Sequence, residues 1–261
     1  MKYTLKALKW AIIILWICFI FLIFTTVYSV ANIRVETNET KFFTKNNEVI
    51  VAIPFILIND GLYEILNLNV TTIVVSRENE LLTKSTSFID VIPRGKETMI
   101  WHNISLSIQK MVSNQKYLFE DSNFTLLNNI RLDFARIIPF AMSVNSTMPW
   151  GAPLYNFTVS EPTFQMINAT TSTVSFNISF ENHSPYINLE GELELKIFNE
   201  NEELLGVTYE TIRVPSNSFY KKTLSVYIET TKVTNSGYIN ITFKTSMLNF
   251  GPLVIPYGSE E

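Results

Sequence analysis

Val51-Ala52-Ile53-Pro54-Phe55-Ile56-Leu57-Ile58-Asn59 sets branched and aromatic side chains on alternate positions. Val174-Ser175-Phe176-Asn177-Ile178-Ser179-Phe180-Glu181-Asn182 does so again at an offset of 123. Period-two alternation lines one face of a strand with apolar groups, so both stretches read as half-buried β-strands. The offset holds through Val70, Thr72 and Val74 against Leu193, Leu195 and Ile197. It holds again at Glu80-Leu81-Leu82 against Glu203-Leu204-Leu205 and at Val91 against Val214, and Pro93 meets Pro215 after a one-residue deletion. A register kept over about 40 residues is a tandem duplication.

Working outward, each half breaks into short alternating runs separated by turn residues. The first half has runs at 49–58, 68–75, 81–88 and 97–108, broken at Asn59-Asp60-Gly61, Arg77-Glu78-Asn79 and Pro93-Arg94-Gly95. The second has runs at 173–180, 191–198, 204–214, 219–228 and 238–243. Strands every 10 to 15 residues with polar turns between them predict two antiparallel β-sandwiches of the immunoglobulin or fibronectin-III kind. One helix is expected around 113–120, with Ser113 as its cap and Tyr117 and Leu118 packing inward. Pro149-Trp150-Gly151-Ala152-Pro153 marks the connection, with Trp150 expected to pack into the domain junction.

Residues 10–28 carry no charge and are rich in Ile, Leu, Phe and Trp. At about 1.5 Å per residue such a helix is roughly 28 Å long, enough to cross a bilayer core. Lys2, Lys6 and Lys9 precede it, so the positive-inside rule puts the N-terminus in the cytoplasm and the remainder outside. The expected division is a cytoplasmic segment 1–9, a transmembrane anchor 10–30, a first sandwich 31–145, a linker 146–153 and a second sandwich 154–261. Ser29-Val30-Ala31 has the small residues a signal peptidase reads, which leaves cleavage after Ala31 open. The apolar run is longer than the usual core of a cleaved peptide, which favours the anchor.

With the three leading lysines set aside, 17 basic residues face 24 acidic ones, a net charge of −7 that argues against a nucleic-acid surface. Cys18 is the single cysteine and lies in the apolar run, so no disulfide forms within one chain and core packing alone must hold the sandwiches. Asn-x-Ser/Thr triplets begin at Asn38, Asn69, Asn103, Asn123, Asn145, Asn156, Asn168, Asn177, Asn182 and Asn240, all beyond the apolar run. That is roughly twice what 25 asparagines would give by chance at this Ser/Thr content. The triplets predict a glycan-coated exterior; Asn/Thr-rich solvent faces of strands are the plainer account.

Val51-Ala52-Ile53-Pro54-Phe55-Ile56-Leu57-Ile58-Asn59-Asp60-Gly61, then Leu66-Asn67-Leu68-Asn69-Val70 and the turn from Glu78 to Leu82, resembles the LEA14/WHy domain. This is the LEA-2 group of late-embryogenesis-abundant and water-stress/hypersensitive-response proteins. Phe180-Glu181-Asn182, Leu189-Glu190-Gly191 and residues 199–205 carry the likeness in the second half, so it covers roughly 45–255. Asp60 and His183 stand where that family usually has proline after the asparagine. The resemblance implies a seven-stranded sandwich with one helix per domain and a membrane-anchored, archaeal type of protein. It loosely implies envelope integrity or stress tolerance, and it brings no catalytic residues.

Chemistry-bearing patterns are sparse. His102 is expected on a strand surface and His183 in a solvated turn; no metal-binding histidine pair, nucleophile elbow or glycine-rich phosphate loop occurs. Glu190, Glu192 and Glu194 share one strand face, a solvated face before it is a weak Ca²⁺ site. Phe42-Phe43 is expected to pack under the first domain rather than touch lipid. The expected function is therefore non-catalytic, with no cofactor, metal or small-molecule substrate: a cell-membrane, single-pass structural or interaction protein whose partners are other envelope or surface-layer proteins. The alternative is an extracytoplasmic ligand-binding module or an accessory subunit of a transport or secretion complex, with an apolar pocket near Trp150.

Overall fold

The computed structural model describes residues 2–258; the first residue of the expected 1–9 segment and the last three of 154–261 lie outside it. Helix α1 (Lys2–Ala31) is long and apolar enough to cross a membrane, and its described side chains are almost all exposed. One residue, Asn32, separates it from the first strand.

The remainder is all-β with antiparallel sheets, in two successive sandwiches. In the first, β1 (Ile33–Thr37) and β2 (Lys41–Lys45) both pair with one edge of β3 (Glu48–Asn59), so they act as a single interrupted edge strand. Strands β4 (Ile65–Val75) and β5 (Leu81–Ile92) follow, then β6 (Lys96–Ser107), which pairs with the other edge of β3. Two short helices, α2 (Ile108–Ser113) and α3 (Lys116–Phe119), lead into β7 (Ser122–Phe134) and β8 (Ile138–Trp150). The facing sheet has the order β5-β4-β7-β8.

The second sandwich repeats the plan. The divided edge strand is β9 (Tyr155–Val159) and β10 (Thr163–Met166), lying on β11 (Thr171–Asn182). Next come β12 (Leu189–Asn199), β13 (Leu204–Val214), β14 (Ser218–Glu229), β15 (Gly237–Thr245) and β16 (Asn249–Tyr257). Each sandwich thus has eight strands where the resemblance implied seven, the additional one arising from the interrupted edge. The second has only a 3-10 turn at Thr230–Lys232 in place of the helices.

The duplication extends to individual hydrogen bonds. Ser76 Oγ accepts from the amides of Glu78 and Glu80, and Asn199 Oδ1 accepts from those of Asn201 and Glu203, each 123 residues on. Asn79 and Glu202 both take positive φ to close that turn. Buried Asn59 Nδ2 donates to the carbonyls of Tyr63 and Ile92; buried Asn182 Nδ2 donates to those of Ile187, Val214 and Pro215. In both halves one side chain satisfies carbonyls from two loops that would otherwise be buried unpaired.

Several expectations change. Strand β8 continues to Trp150, so the linker expected at 146–153 shrinks to residues 151–154 and the first sandwich runs past 145. Of the helix expected over 113–120 only α3 (Lys116–Phe119) forms, with Tyr117 and Leu118 buried as expected; Ser113 is the last residue of a preceding helix, α2, which Ser107 caps and Asn114 ends. His102 is fully buried, since β6 alternates Ile100, His102, Ile104 and Leu106 toward the core.

Candidate functional site

Three places concentrate polar or apolar groups beyond what the duplicated fold requires. The first joins α1 to the first sandwich. Thr25 Oγ1 shares a 2.6 Å hydrogen bond with the Tyr63 hydroxyl, and Ser29 Oγ, fully buried, accepts from the Leu62 amide at 2.9 Å. Arg34 pairs with Asp60 at 2.7 Å on the same loop, which holds the Arg34 guanidinium above its ordinary range. Gly61 lies so close to the helix that a Cβ there would stand 3.0 Å from Ser29. The turns around Arg94 and Arg136 reach down beside Leu22, presenting exposed Leu62 and Ile137.

The second is the junction between sandwiches. Trp150, only 2% exposed, donates from Nε1 to the Tyr117 carbonyl and packs beside Phe124 and Tyr186. Phe42 stacks on Tyr186 of the second sandwich at 4.8 Å, so it packs across the junction rather than beneath its own domain or on lipid. His183 lies between Asp121 and Glu181, both at 2.9 Å, and over the Tyr155 ring at 4.1 Å. It is therefore a bridge between the sandwiches and not a freely solvated turn residue. The hydrogen bond to Asp121, then that to Glu181, holds its imidazole above the usual range, and His183 in turn holds Glu181 low. One apolar core runs unbroken through this junction into the second sandwich. The apolar pocket expected near Trp150 is filled by Trp150 itself; what remains there is a shallow recess edged by Asp121, Asn123 and His183.

The third lies inside the first sandwich. Between β1 and β8 the two sheets gape, leaving an apolar groove of about 230 Å³ whose walls include Val35, Leu57, Ile130, Phe140 and Met142. Val30, in the last turn of α1, stands at its lower end. One residue pair higher, the interior turns polar: the His102 ring nitrogens bond Ser87 and Thr72 at 2.8 and 2.9 Å, Thr72 donates to Asn128, and Asn128 donates to Ser146. This layer crosses the sandwich and separates the core into an upper part continuous with the second domain and a lower part around Ile65 and Phe134. Burial pushes the His102 imidazole below its ordinary value, keeping it neutral.

Of the ten glycosylation candidates, Asn38, Asn103, Asn123, Asn145, Asn156, Asn168 and Asn177 are exposed, while Asn69 and Asn240 are half-buried. Asn182 must be withdrawn: the nitrogen a glycan would occupy is the buried donor to three carbonyls. Its match with Asn59, which heads no triplet, was the sequence signal for that structural role. Glu194 is largely covered, and Lys244 and Lys196 neutralise it at 2.7 and 3.1 Å, leaving only Glu190 and Glu192 of the acidic strand exposed. Among the described residues no three His, Cys, Asp or Glu gather as a metal site. The groove residues carry no titratable group and so gave no motif; only the smaller side chains in one repeat than in the other could have marked them.

No protein-family model matches the chain, and no curated protein is significantly similar to it. Among solved structures, red sea bream transglutaminase matches 87% of this chain and 30% of its own, with 14% identity and a TM-score of 0.32. A β-glucuronidase of glycoside hydrolase family 2 matches 79% and 24%, with 12% identity and a TM-score of 0.35. The chain therefore spans less than a third of either protein, and at these TM-scores neither likeness bears on function.

Proposed function

We propose that the chain is a non-catalytic, single-pass membrane protein whose two sandwiches project from the bilayer as one stiff rod and dock other envelope components. The observation that carries this is the way α1 is built into the first domain. Thr25 and Ser29 bond the 60–64 loop directly, one residue separates helix from strand, and the core continues through the junction. A flexible tether would need none of these contacts; a projection of fixed angle requires them. The three leading lysines support a cytoplasmic N-terminus. Seven exposed triplets support glycans along the rod, and the LEA14/WHy resemblance supports a part in envelope integrity or stress tolerance.

The test is carbonate extraction of native membranes followed by protease treatment of sealed cells. The protein is expected to stay in the pellet and to lose residues beyond 32 to external protease. Release into the alkaline supernatant, or full protection, would overturn the reading. Cleavage after Ala31 is not expected, because it would sever Thr25 and Ser29 from the domain they support.

A second reading, an exterior ligand-binding module, is favoured by one feature: the apolar groove between β1 and β8, beside the end of α1.

A further inference from the structure

The two sandwiches descend from one sequence, so the second shows what the first would look like with its groove closed. Strand registers align them position by position. Leu57 corresponds to Phe180 by the 123-residue offset, and Val35, which pairs with Leu57, corresponds to Phe157, the next residue along from the Ser179–Thr158 pair. Ile130 pairs with Val70 as Phe243 pairs with Leu193, and Met142 pairs with Ile130 as Phe250 pairs with Phe243. Four phenylalanines thus stand where the first sandwich has valine, leucine, isoleucine and methionine. Phe157, Phe180 and Phe243 meet at centroid distances of 5.9 to 6.3 Å and, with Phe250, fill the space between the sheets. In the first sandwich the smaller side chains leave that space open, and Val35, Phe140 and Met142 remain 58%, 41% and 43% exposed on what should be core positions. Apolar walls left open in this way gain free energy when an apolar guest covers them.

Position selects the guest. Val30, part of the groove's lining, lies about 30 Å up the helix from Trp10 and about 12 Å beyond Leu22, where Glu64, Arg94 and Arg136 crowd the helix, so this end of the groove stands at the level of the lipid headgroups. The turns at the base of the domain reach lower still, to Thr25 and Leu22. At its upper end the groove stops against Phe55, whose ring is 6.4 Å from that of His102, and against the polar layer of His102, Thr72 and Asn128. It is an apolar slot with Val30 of the helix in its lining at one end and the polar layer beyond Phe55 at the other.

We infer that the groove between β1 and β8 takes the acyl chain of a membrane lipid, drawn up from the leaflet on which the first sandwich sits. The chain enters past Val30, lies between Val35 and Met142, and ends below the His102 layer, while its headgroup stays at the bilayer surface. This rests on the proposal that α1 spans the membrane, and it gives the groove's apolar lining a partner of matching chemistry.

The experiment uses the full chain in phosphatidylcholine vesicles carrying a phospholipid with a diazirine near the middle of one acyl chain. After irradiation, labelled peptides are mapped by mass spectrometry. Adducts are expected on the helix and also on β1 and β8, at Val35 and Met142. Replacing Val35→Phe and Met142→Phe, as the second sandwich does at these positions, should cut groove labelling relative to helix labelling by about tenfold, the change expected from losing two or so buried methylenes. Helix adducts without groove adducts would overturn the lipid assignment and leave the anchor standing. No helix adducts would overturn the anchor. Protein–protein crosslinks between β1 and β8 of two copies, in place of lipid adducts, would show that a second copy covers the groove and also overturn the assignment. The wild-type map decides the matter even if the double variant fails to fold.

Discussion

Asn59 and Asn182 illustrate how one side chain can decide a turn. Each is fully buried and holds carbonyls of separate loops, so truncation leaves those carbonyls unpaired in the interior. Asn59→Ala and Asn182→Ala are each expected to cost about 2–3 kcal/mol in denaturant unfolding, against less than about 0.5 kcal/mol for exposed Asn38→Ala. Glycopeptide mapping is expected to find Asn182 bare whatever the state of the exposed triplets. His102 gives a second case. Its Thr72 and Asn128 partners become Leu195 and Ile241 in the other sandwich, and His102 itself becomes Leu224. His102→Ala alone should cost about 2 kcal/mol by taking a hydrogen-bond partner from Thr72 and Ser87 and leaving a void, whereas His102→Leu, Thr72→Leu and Asn128→Ile together should fall near neutral. Burial lowers the folded pKa of His102, so the neutral ring is the one that fits. Stability from this site is present above the ordinary value of 6.5 and declines as pH falls below it; urea midpoints of wild type and the triple variant across that range provide the check.

At the level of single elements, the end of α1 is the informative one. It terminates at Ala31, yet Ser29 and Thr25 already belong to the first sandwich through the 60–64 loop. Ser29→Ala removes the acceptor of the Leu62 amide, and hydrogen exchange on the full chain in micelles should find that amide exchanging roughly tenfold faster. Unchanged protection would mean that the loop is held by packing on Gly61 rather than by the hydroxyl. Strand β8 is the other telling element. Residues 139–147 are exposed on both faces, with Phe140 and Met142 among them lining the gap, while Met148 and Trp150 at its end are buried against the junction.

Taken as a whole, the two sandwiches should unfold as one cooperative unit because a single apolar core spans the junction. Trp150→Ala is expected to cost about 3–5 kcal/mol and to split the calorimetric transition into two, one for each sandwich. The junction also titrates. His183 faces Asp121, Glu181 and the Tyr155 ring, and its pKa is raised above 6.5 in the folded chain. Its contribution is fully present below that ordinary value and is lost as pH rises through the raised one. Glu181, held low, contributes above its own ordinary value of 4.5 and stops contributing as pH falls through its lowered one. Thermal midpoints across pH 6 to 9 should therefore decline for the wild type more than for Asp121→Asn, which removes the first of the two partners.

Alternation in residues 49–58 and 173–180, the 123-residue offset and the uncharged run at 10–28 are local patterns, and strand pairing, repetition and the apolar helix could be read from them directly. The inward turn of His102 was legible too, from its place between Ile100 and Ile104, but polarity argued for the surface and its partners, buried Thr72 and half-buried Ser87, lie 30 and 15 residues away. The edge strands β1, β2, β9 and β10 were missed because they are short and mostly exposed, β16 because Gly251, Pro252 and Pro256 interrupt it, and β7 and β8 because paired asparagines and outward apolar residues blur their period. Whether two sheets close or gape depends on the summed volume of side chains contributed by four strands far apart in sequence. Val35, Leu57, Ile130 and Met142 each look like ordinary core residues; only their meeting in space leaves the groove open, and only the course of α1 into β1 brings Val30 into its lining.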